Sequence, residues 1–317
     1  MKYLITGGAG FIGSNFCQYM VDKYPNDLFI CLDSLTYAAN IKNLDNIINK
    51  DNFKFIEGNI CDEELVEKLF KEEKIDYVIN FAAESHVDKS ITEPNIFLKS
   101  NVIGVQVLLD ASKKYNVKRF HQISTDEVYG DLPLDRPDLL FSESSMLKPS
   151  SPYSVSKASA DLLVLAYHRT HEIDVTISRS SNNYGIYQHE EKLIPLVIKK
   201  ALRNEKIPVY GTGLNIRDWL YVLDHCSAID LIVKNGRSGE IYNVGVHDEK
   251  TNLDVIKMIL KYLGKDESLI EFTTDRLGHD LRYALDNSKL INELGWMPTT
   301  KLDYKIEDII KYYIENI

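Results

Sequence analysis

Long hydrophobic runs are missing from this 317-residue chain. No apolar stretch approaches the roughly 18 residues of a membrane span. Strand-like sequence starts directly after Met1 and Lys2, which leaves no room for a signal peptide. Cysteine is sparse. Cys17, Cys31, Cys61 and Cys226 are scattered without metal-ligand spacing, so neither a metal site nor a disulfide framework is expected. Cys17 and Cys31 fall in helix-like and strand-like runs and read as buried thiols of a cytoplasmic chain. Positive charge is in deficit, with 37 Lys and Arg against 47 Asp and Glu and a net charge of -10. That balance disfavours non-specific binding to nucleic acid or to an anionic membrane. It still permits a small phosphorylated ligand, which responds to local charge. Internal repeats and low-complexity segments are absent as well, and no Ser/Gly/Pro-rich joint separates domains.

What the chain does have is alternation. Strand-like runs at Tyr3–Thr6, Leu28–Leu32, Phe53–Glu57, Tyr77–Phe81, Arg119–Ser124 and Val175–Arg179 are separated by helical patterns. Those patterns cover Gly13–Lys23, Glu63–Lys71, Asn101–Tyr115 and Tyr153–His171, the last holding an apolar run, Leu162–Tyr167, that fits a buried helix. Repeated β–α alternation predicts right-handed crossovers and an α/β fold with a doubly wound parallel sheet of Rossmann type. The pattern changes after Asn183. Helical spacing at Leu193–Arg203 and Asp254–Leu263, with a turn region at Pro208–Leu214, predicts a smaller, interleaved C-terminal lobe for substrate. Residues 1–184 are expected to form the dinucleotide domain and 185–317 mainly the lobe, with 216–248, including a short strand at Ile241–Val244, rejoining the main sheet.

Gly8-Ala9-Gly10-Phe11-Ile12-Gly13, with Gly7 just before, matches G-x-G-x-x-G between a predicted strand and a predicted helix. The glycines permit a tight turn, close backbone approach to a pyrophosphate and close helix–strand packing. The phosphates then meet the N–H groups at the helix N-terminus. Asp33 follows the second strand, where a carboxylate accepts from both ribose hydroxyls of NAD and repels the additional phosphate of NADP. Small Ala82 and Ala83, at the end of the fourth strand, would let the cofactor lie close.

Two further segments carry chemistry. Tyr153 and Lys157 stand at i and i+4 on one face of the long helix, which opens after Pro152. A phenol titrates near 10, and a neighbouring ammonium together with the cationic nicotinamide would lower that value enough for Tyr153 to act as a base. Ser124-Thr125-Asp126-Glu127-Val128-Tyr129-Gly130 follows the fifth strand, and polar residues at a strand's carboxyl end face the cleft. Two adjacent carboxyls in unlike surroundings can hold different protonation states, which suits elimination of water.

Together these residues closely resemble the dTDP-glucose 4,6-dehydratase family of extended short-chain dehydrogenases/reductases. The resemblance runs over nearly the whole chain. It rests most specifically on Ser124–Gly130, with support from Asp33–Asn40, Ala82–Asp88, Ser181–Gly185, Glu191–Pro195, Asn215–Trp219 and Asp275–Asp280. It implies NAD as the cofactor, a nucleotide-sugar substrate and a homodimer formed through the 101–115 and 153–171 helices. It also implies roles for the catalytic residues: Tyr153 removes the O4 proton, Thr125 bonds O4, Glu127 removes the C5 proton, Asp126 protonates the leaving C6 hydroxyl, and Lys157 also holds the nicotinamide ribose. The cofactor set it implies adds Ser34, Leu35, Thr36, Asn59, Ile60, Ser85, Ser100 and Asn183. The substrate set is Ser85, His86, Thr125, Asn182, Lys192, Leu193, Pro208, Tyr210, Arg217, Asn252, Asp275, Arg276 and His279. Departures are Asn59 in place of a usual Asp, Ser100 in place of Thr, Ile186 and Leu277 in place of prolines, and a short loop from Asp131 to Ser150. Rival readings are an epimerase, a decarboxylase, a dehydratase for another nucleotide, or a non-catalytic NAD-binding regulator.

Overall fold

Six β-branched and aromatic runs pair side by side in parallel, the inner ones buried on both faces as a helix-covered sheet requires. They are β1 (Lys2–Thr6), β2 (Leu28–Asp33), β3 (Phe53–Glu57), β4 (Tyr77–Asn80), β5 (Arg119–Thr125) and β6 (Val175–Ser180). These and the elements below come from a computed structural model, which describes residues 1–275 and 277–316. Arg276 of the expected substrate set lies outside the described residues.

After β7 (Asn182–Tyr184), β8 (Ile207–Tyr210) and β9 (Ile216–Tyr221), the chain returns as β10 (Glu240–Val244). β10 pairs in parallel with β6 in the register Ile241↔Ile177, giving the sheet order β10-β6-β5-β4-β1-β2-β3. The sequence direction along the sheet reverses between β1 and β4. The carboxyl ends of those two strands therefore open a crevice, which is where ligands bind in such sheets.

Helices α1 (Phe11–Lys23), α2 (Glu63–Glu73), α3 (Val87–Thr92), α4 (Pro94–Leu98), α5 (Gly104–Lys114) and α6 (Pro152–His171) cross between the strands of the first half. On one face Leu4, Val66, Phe70, Leu108, Phe120 and Val164 form a continuous core. On the other, Ile5, Phe16, Met20, Phe29 and Ile79 meet Val222, Cys226 and Ile229 of α8 (Val222–Asn235), which follows α7 (Leu193–Leu202). Cys17 and Cys31 are buried free thiols, as expected.

The lobe has its own core. Ile194, Val197 and Ile198 of α7 pack on Ile256 and Ile259 of α9 (Asn252–Leu263) and, beyond α10 (Ser288–Leu294), on Ile306, Ile309 and Ile310 of α11 (Leu302–Asn316). Two small sheets complete it: β11 (Glu249–Thr251) with β9 and β7, and β12 (Ile270–Thr273) with β8.

Two expectations change in detail. The helix expected from Asn101 starts earlier, at Pro94, and passes through a π-helical turn at Lys99–Ile103 before α5. Asn101 accounts for the irregularity: its Oδ1 accepts from the Glu84 N–H (2.8 Å) and its Nδ2 donates to the Glu84 carbonyl (3.0 Å), pinning the helix to the segment after β4. The apolar run Leu162–Tyr167 is not buried throughout. Val164 reaches the core, while Leu162 is 57% exposed on the open face of α6.

Candidate active site

The glycine turn is shaped by close approach. Gly7 has φ +68°, and a Cβ there would lie 2.6 Å from the backbone N of Ala82. A Cβ on Gly13 would lie 2.2 Å from the Gly7 carbonyl oxygen, so the first turn of α1 can seat against β1 only without a side chain at that point. Gly10 caps α1 with no side-chain bond, leaving the first-turn N–H groups for a ligand's oxygens. Asp33 ends β2. Its Oδ2 accepts from the Ala9 N–H (2.9 Å) and its Oδ1 from the Leu35 N–H (2.8 Å). Burial raises its proton affinity against those two bonds, and each oxygen keeps a lone pair for a ribose hydroxyl. These features fit a dinucleotide.

A cavity of about 470 Å³ runs along the carboxyl ends of β1, β2, β4 and β5. Its wall brings together Gly7, Gly10, Phe11, Ile12, Gly13, Asp33, Ser34, Thr36, Asn59, Ile60, Ala82, Ala83, Ser85, Ser100 and Asn183 with Thr125, Asp126, Glu127, Tyr153 and Lys157. Leu35 does not line it; this residue supplies the N–H that fixes Asp33 and packs toward the core. A second cavity of about 460 Å³ shares Glu127, Asn182, Asn183, Gln188 and Lys192 with the first and reaches into the lobe. It takes in His86, Leu193, Pro208, Tyr210, Arg217, Asn252 and His279. Asp275 does not line it; its Oδ1 lies 2.6 Å from the His279 ring.

The catalytic face is set by a helix cap. Ser151 and Ser154 form a reciprocal capping box with Pro152 in the first turn, which fixes the register of α6 and turns Tyr153 and Lys157 toward β5. Lys157 donates to the Ile123 carbonyl (2.5 Å), and its burial brings its proton affinity down to about 8. Burial raises Tyr153 well above the ordinary phenol value; Glu127 and Asp126 add to the rise, and a hydrogen bond with Thr125 opposes it. The expected lowering by Lys157 together with the cationic nicotinamide is opposed here by burial and by the two carboxyls. In the unliganded protein, desolvation and two carboxyls dominate, and the cation that favours the phenolate must arrive with the ligand.

Asp126 and Glu127 stand in unlike surroundings. Asp126 is 2% exposed and accepts from Thr125 Oγ1 (3.2 Å), while its second oxygen has no partner among the described residues. Burial, then the adjacent Glu127, holds its carboxyl well above the usual range, against the pull of Arg217, a shift that favours its protonated form. Glu127 is half-buried and touches both cavities. Arg217 lies over the Tyr283 ring (4.4 Å) and donates to the carbonyls of Ile216 (2.8 Å) and Asp280 (2.9 Å), which aims a preset guanidinium across the second cavity.

A family model described as GDP-mannose 4,6 dehydratase matches residues 4–309. Over 100% of this chain and 98% of its own length, a dTDP-glucose 4,6-dehydratase of Haemophilus influenzae is 45% identical. A low-salt glycan biosynthesis protein of Haloferax volcanii is 46% identical over 99% of both chains. The crystal structure of a dTDP-glucose 4,6-dehydratase from Streptomyces venezuelae superposes with a TM-score of 0.96 at 44% identity, covering 100% of this chain and 98% of that one. The chain belongs to the nucleotide-sugar 4,6-dehydratases.

For a 4,6-dehydratase, three wall residues are notable because the sequence reading passed over them. Tyr283 closes the second cavity beside Glu127 and Arg217 and donates to Asp280 (2.5 Å). His189 and Gln188 line the first cavity from the loop before α7. Nothing in the local sequence marks them. Each is brought to the site by the lobe folding back on the sheet, which spacing along the chain does not reveal.

Proposed function

We propose that the chain is an NAD-dependent dTDP-glucose 4,6-dehydratase, producing dTDP-4-keto-6-deoxy-glucose and water. One observation carries the reading: a buried Asp126, whose carboxyl is held well above its usual range, beside a half-buried Glu127, both next to Tyr153 at the end of β5. When bound, NAD supplies the hydride acceptor for C4 and the hydride donor for C6. Asp33 and the α1 N-terminus hold its ribose and phosphates. Tyr153 takes the O4 proton while Thr125 holds that oxygen. With C4 as a ketone the C5 proton is acidic, and Glu127 removes it. Asp126 gives its proton to the C6 hydroxyl, which leaves as water. Glu127 then returns a proton to C5 as C6 becomes a methyl; C4 stays a ketone, so Tyr153 ends holding the O4 proton and Asp126 ends without one, and transfer of one proton from Tyr153 to Asp126 through solvent resets the site. Arg217, Lys192 and His279 face the nucleotide diphosphate, for which an arginine fork is the better-matched partner.

The test is a label. With dTDP-glucose deuterated at C4 in ordinary water, deuterium is expected in the C6 methyl of the product, with a solvent hydrogen at C5. Label retained at C4, or released on reduced cofactor, would rule out a dehydratase. The same assay with UDP-, CDP- and GDP-glucose reads the nucleotide preference.

The reading extends to a homodimer. Leu98, Ile103, Val155 and Leu162 are exposed on α4, the π-helical turn and α6, an apolar surface that a second copy of the chain would cover. Sedimentation should give twice the 36.3 kDa chain mass, and Leu162→Glu should reduce it to one. A wild-type protein sedimenting as a single chain would refute the dimer.

A further inference from the structure

One group of buried charges has no part in the steps above. Tyr153, Lys157 and Asp161 stand at i, i+4 and i+8 of α6, so Asp161 lies one turn beyond Lys157 on the same face. Asp161 is 0% exposed. Its Oδ2 accepts from Ser124 Oγ of β5 (2.9 Å) and from Arg179 Nε of β6 (2.9 Å). Arg179, 2% exposed, donates from Nη1 to the Tyr129 hydroxyl (2.9 Å) and lies over that ring (4.8 Å). The Tyr129 hydroxyl in turn donates to Asn243 of β10 (2.8 Å). The Oδ1 of Asp161 is buried with no hydrogen-bond partner among the described residues.

Stability alone is a poor account of this arrangement. Removing a carboxylate and a guanidinium from water costs several kcal/mol per ion, and apolar residues of the same volume often serve a fold as well. Position is a better account. Lys157 is 4% exposed, and its hydrogen bond goes to a neutral carbonyl. Burial works against its charge, and Asp161 is the group that opposes that burial.

We propose that Asp161, held by Arg179 and Ser124, is a positioning residue that keeps Lys157 an ammonium over the pH range in which Tyr153 gives up its proton, its negative charge raising both groups. The proposal rests on the reading of Tyr153 as the base. The charged and titratable groups that face the pair are few. Tyr153 and Asp161 share the helix with Lys157, and Arg179 comes from β6. Asp126 and Glu127 follow β5, and Tyr37 acts on Tyr153 from across the cleft.

The sign of the effect follows from the charges. Asp161→Asn keeps the shape, removes a negative charge and leaves Arg179 unbalanced. The ammonium of Lys157 becomes less favourable and the phenolate of Tyr153 more favourable. Both limbs of a bell-shaped kcat/KM profile should then move to lower pH, the basic limb of Lys157, one turn from Asp161, by more than the acid limb of Tyr153, two turns away. Arg179→Met should move them to higher pH, and Arg179→Lys, which keeps the charge, should leave them in place. A merely structural role would lower activity in all three without displacing the limbs in opposite senses.

A second readout needs no substrate. In NAD-bound protein carrying 13C-labelled lysine, the Lys157 Cε signal, assigned by its loss in Lys157→Met, should titrate at lower pH in Asp161→Asn than in wild type. Coincident titrations would overturn the proposal even if dTDP-glucose proved not to be the substrate. If Asp161→Asn does not fold, Arg179→Lys and Asp161→Glu carry the test, because a displaced Lys157 titration in either charge-conserving variant overturns it too.

Discussion

Tyr153→Phe is expected to lower formation of the keto-sugar by about three orders of magnitude, within the range that a positioned general base contributes. The substitution is mild for the fold. The ring of Tyr153 is buried and meets Phe97 edge-on at 6.4 Å, a contact that phenylalanine keeps. The hydroxyl is lost, and with it the acceptor for the O4 proton and the hydrogen bond with Thr125. NAD binding and the melting temperature should stay close to wild type, while single-turnover absorbance of the reduced nicotinamide should be nearly absent. The wild-type pH dependence follows from the same surroundings. Burial and two carboxyls raise the proton affinity of Tyr153, so its base form is present above its folded pKa and lost as pH falls through it. Activity should therefore rise with pH on the acid limb. A Tyr153→Phe protein turning over within tenfold of wild type would remove Tyr153 from the mechanism.

The parts of this site that were legible in the sequence are those fixed by neighbours along the chain. The Gly7–Gly13 turn, Asp33 at the end of β2 and the Tyr153–Lys157 face each depend on spacing within a single β–α unit, and local steric rules dictate them. Tyr283 could not be found that way. It reaches Glu127 only because the segment after β12 folds back across the second cavity, from more than a hundred residues away. The π-helical turn at Lys99–Ile103 was hidden for a similar reason. Asn101 sits within a pattern that reads as ordinary helix, and only the pairing of its side chain with the Glu84 backbone shifts the hydrogen bonds. Periodicity misjudged Leu162 differently, since an apolar residue counts toward a core whether its face meets the sheet or lies open.

Glu127→Gln should separate the reaction into two halves. The amide keeps the shape and reach of the side chain but cannot accept the C5 proton, so oxidation at C4 should go forward and elimination should stop. Reduced-nicotinamide absorbance should build toward one equivalent per site, while the keto-deoxy product falls by about two to four orders of magnitude. Neutralising Glu127 also removes a charge that raises both Tyr153 and Asp126. Its loss makes the phenolate easier to form, so the first half should be no slower, and its acid limb should move to lower pH. The carboxyl of Asp126 should stay above its usual range even so, because burial is the largest cause of its shift. The acid for the departing hydroxyl is then intact, and only the base is missing. Solvent exchange at C5 distinguishes that state from a general loss of activity: in deuterated water, recovered dTDP-glucose should carry no deuterium at C5. Near-wild-type turnover, or exchange at C5 in the variant, would assign the base to another group, and Tyr283, beside Glu127 in the second cavity, would be the first to examine.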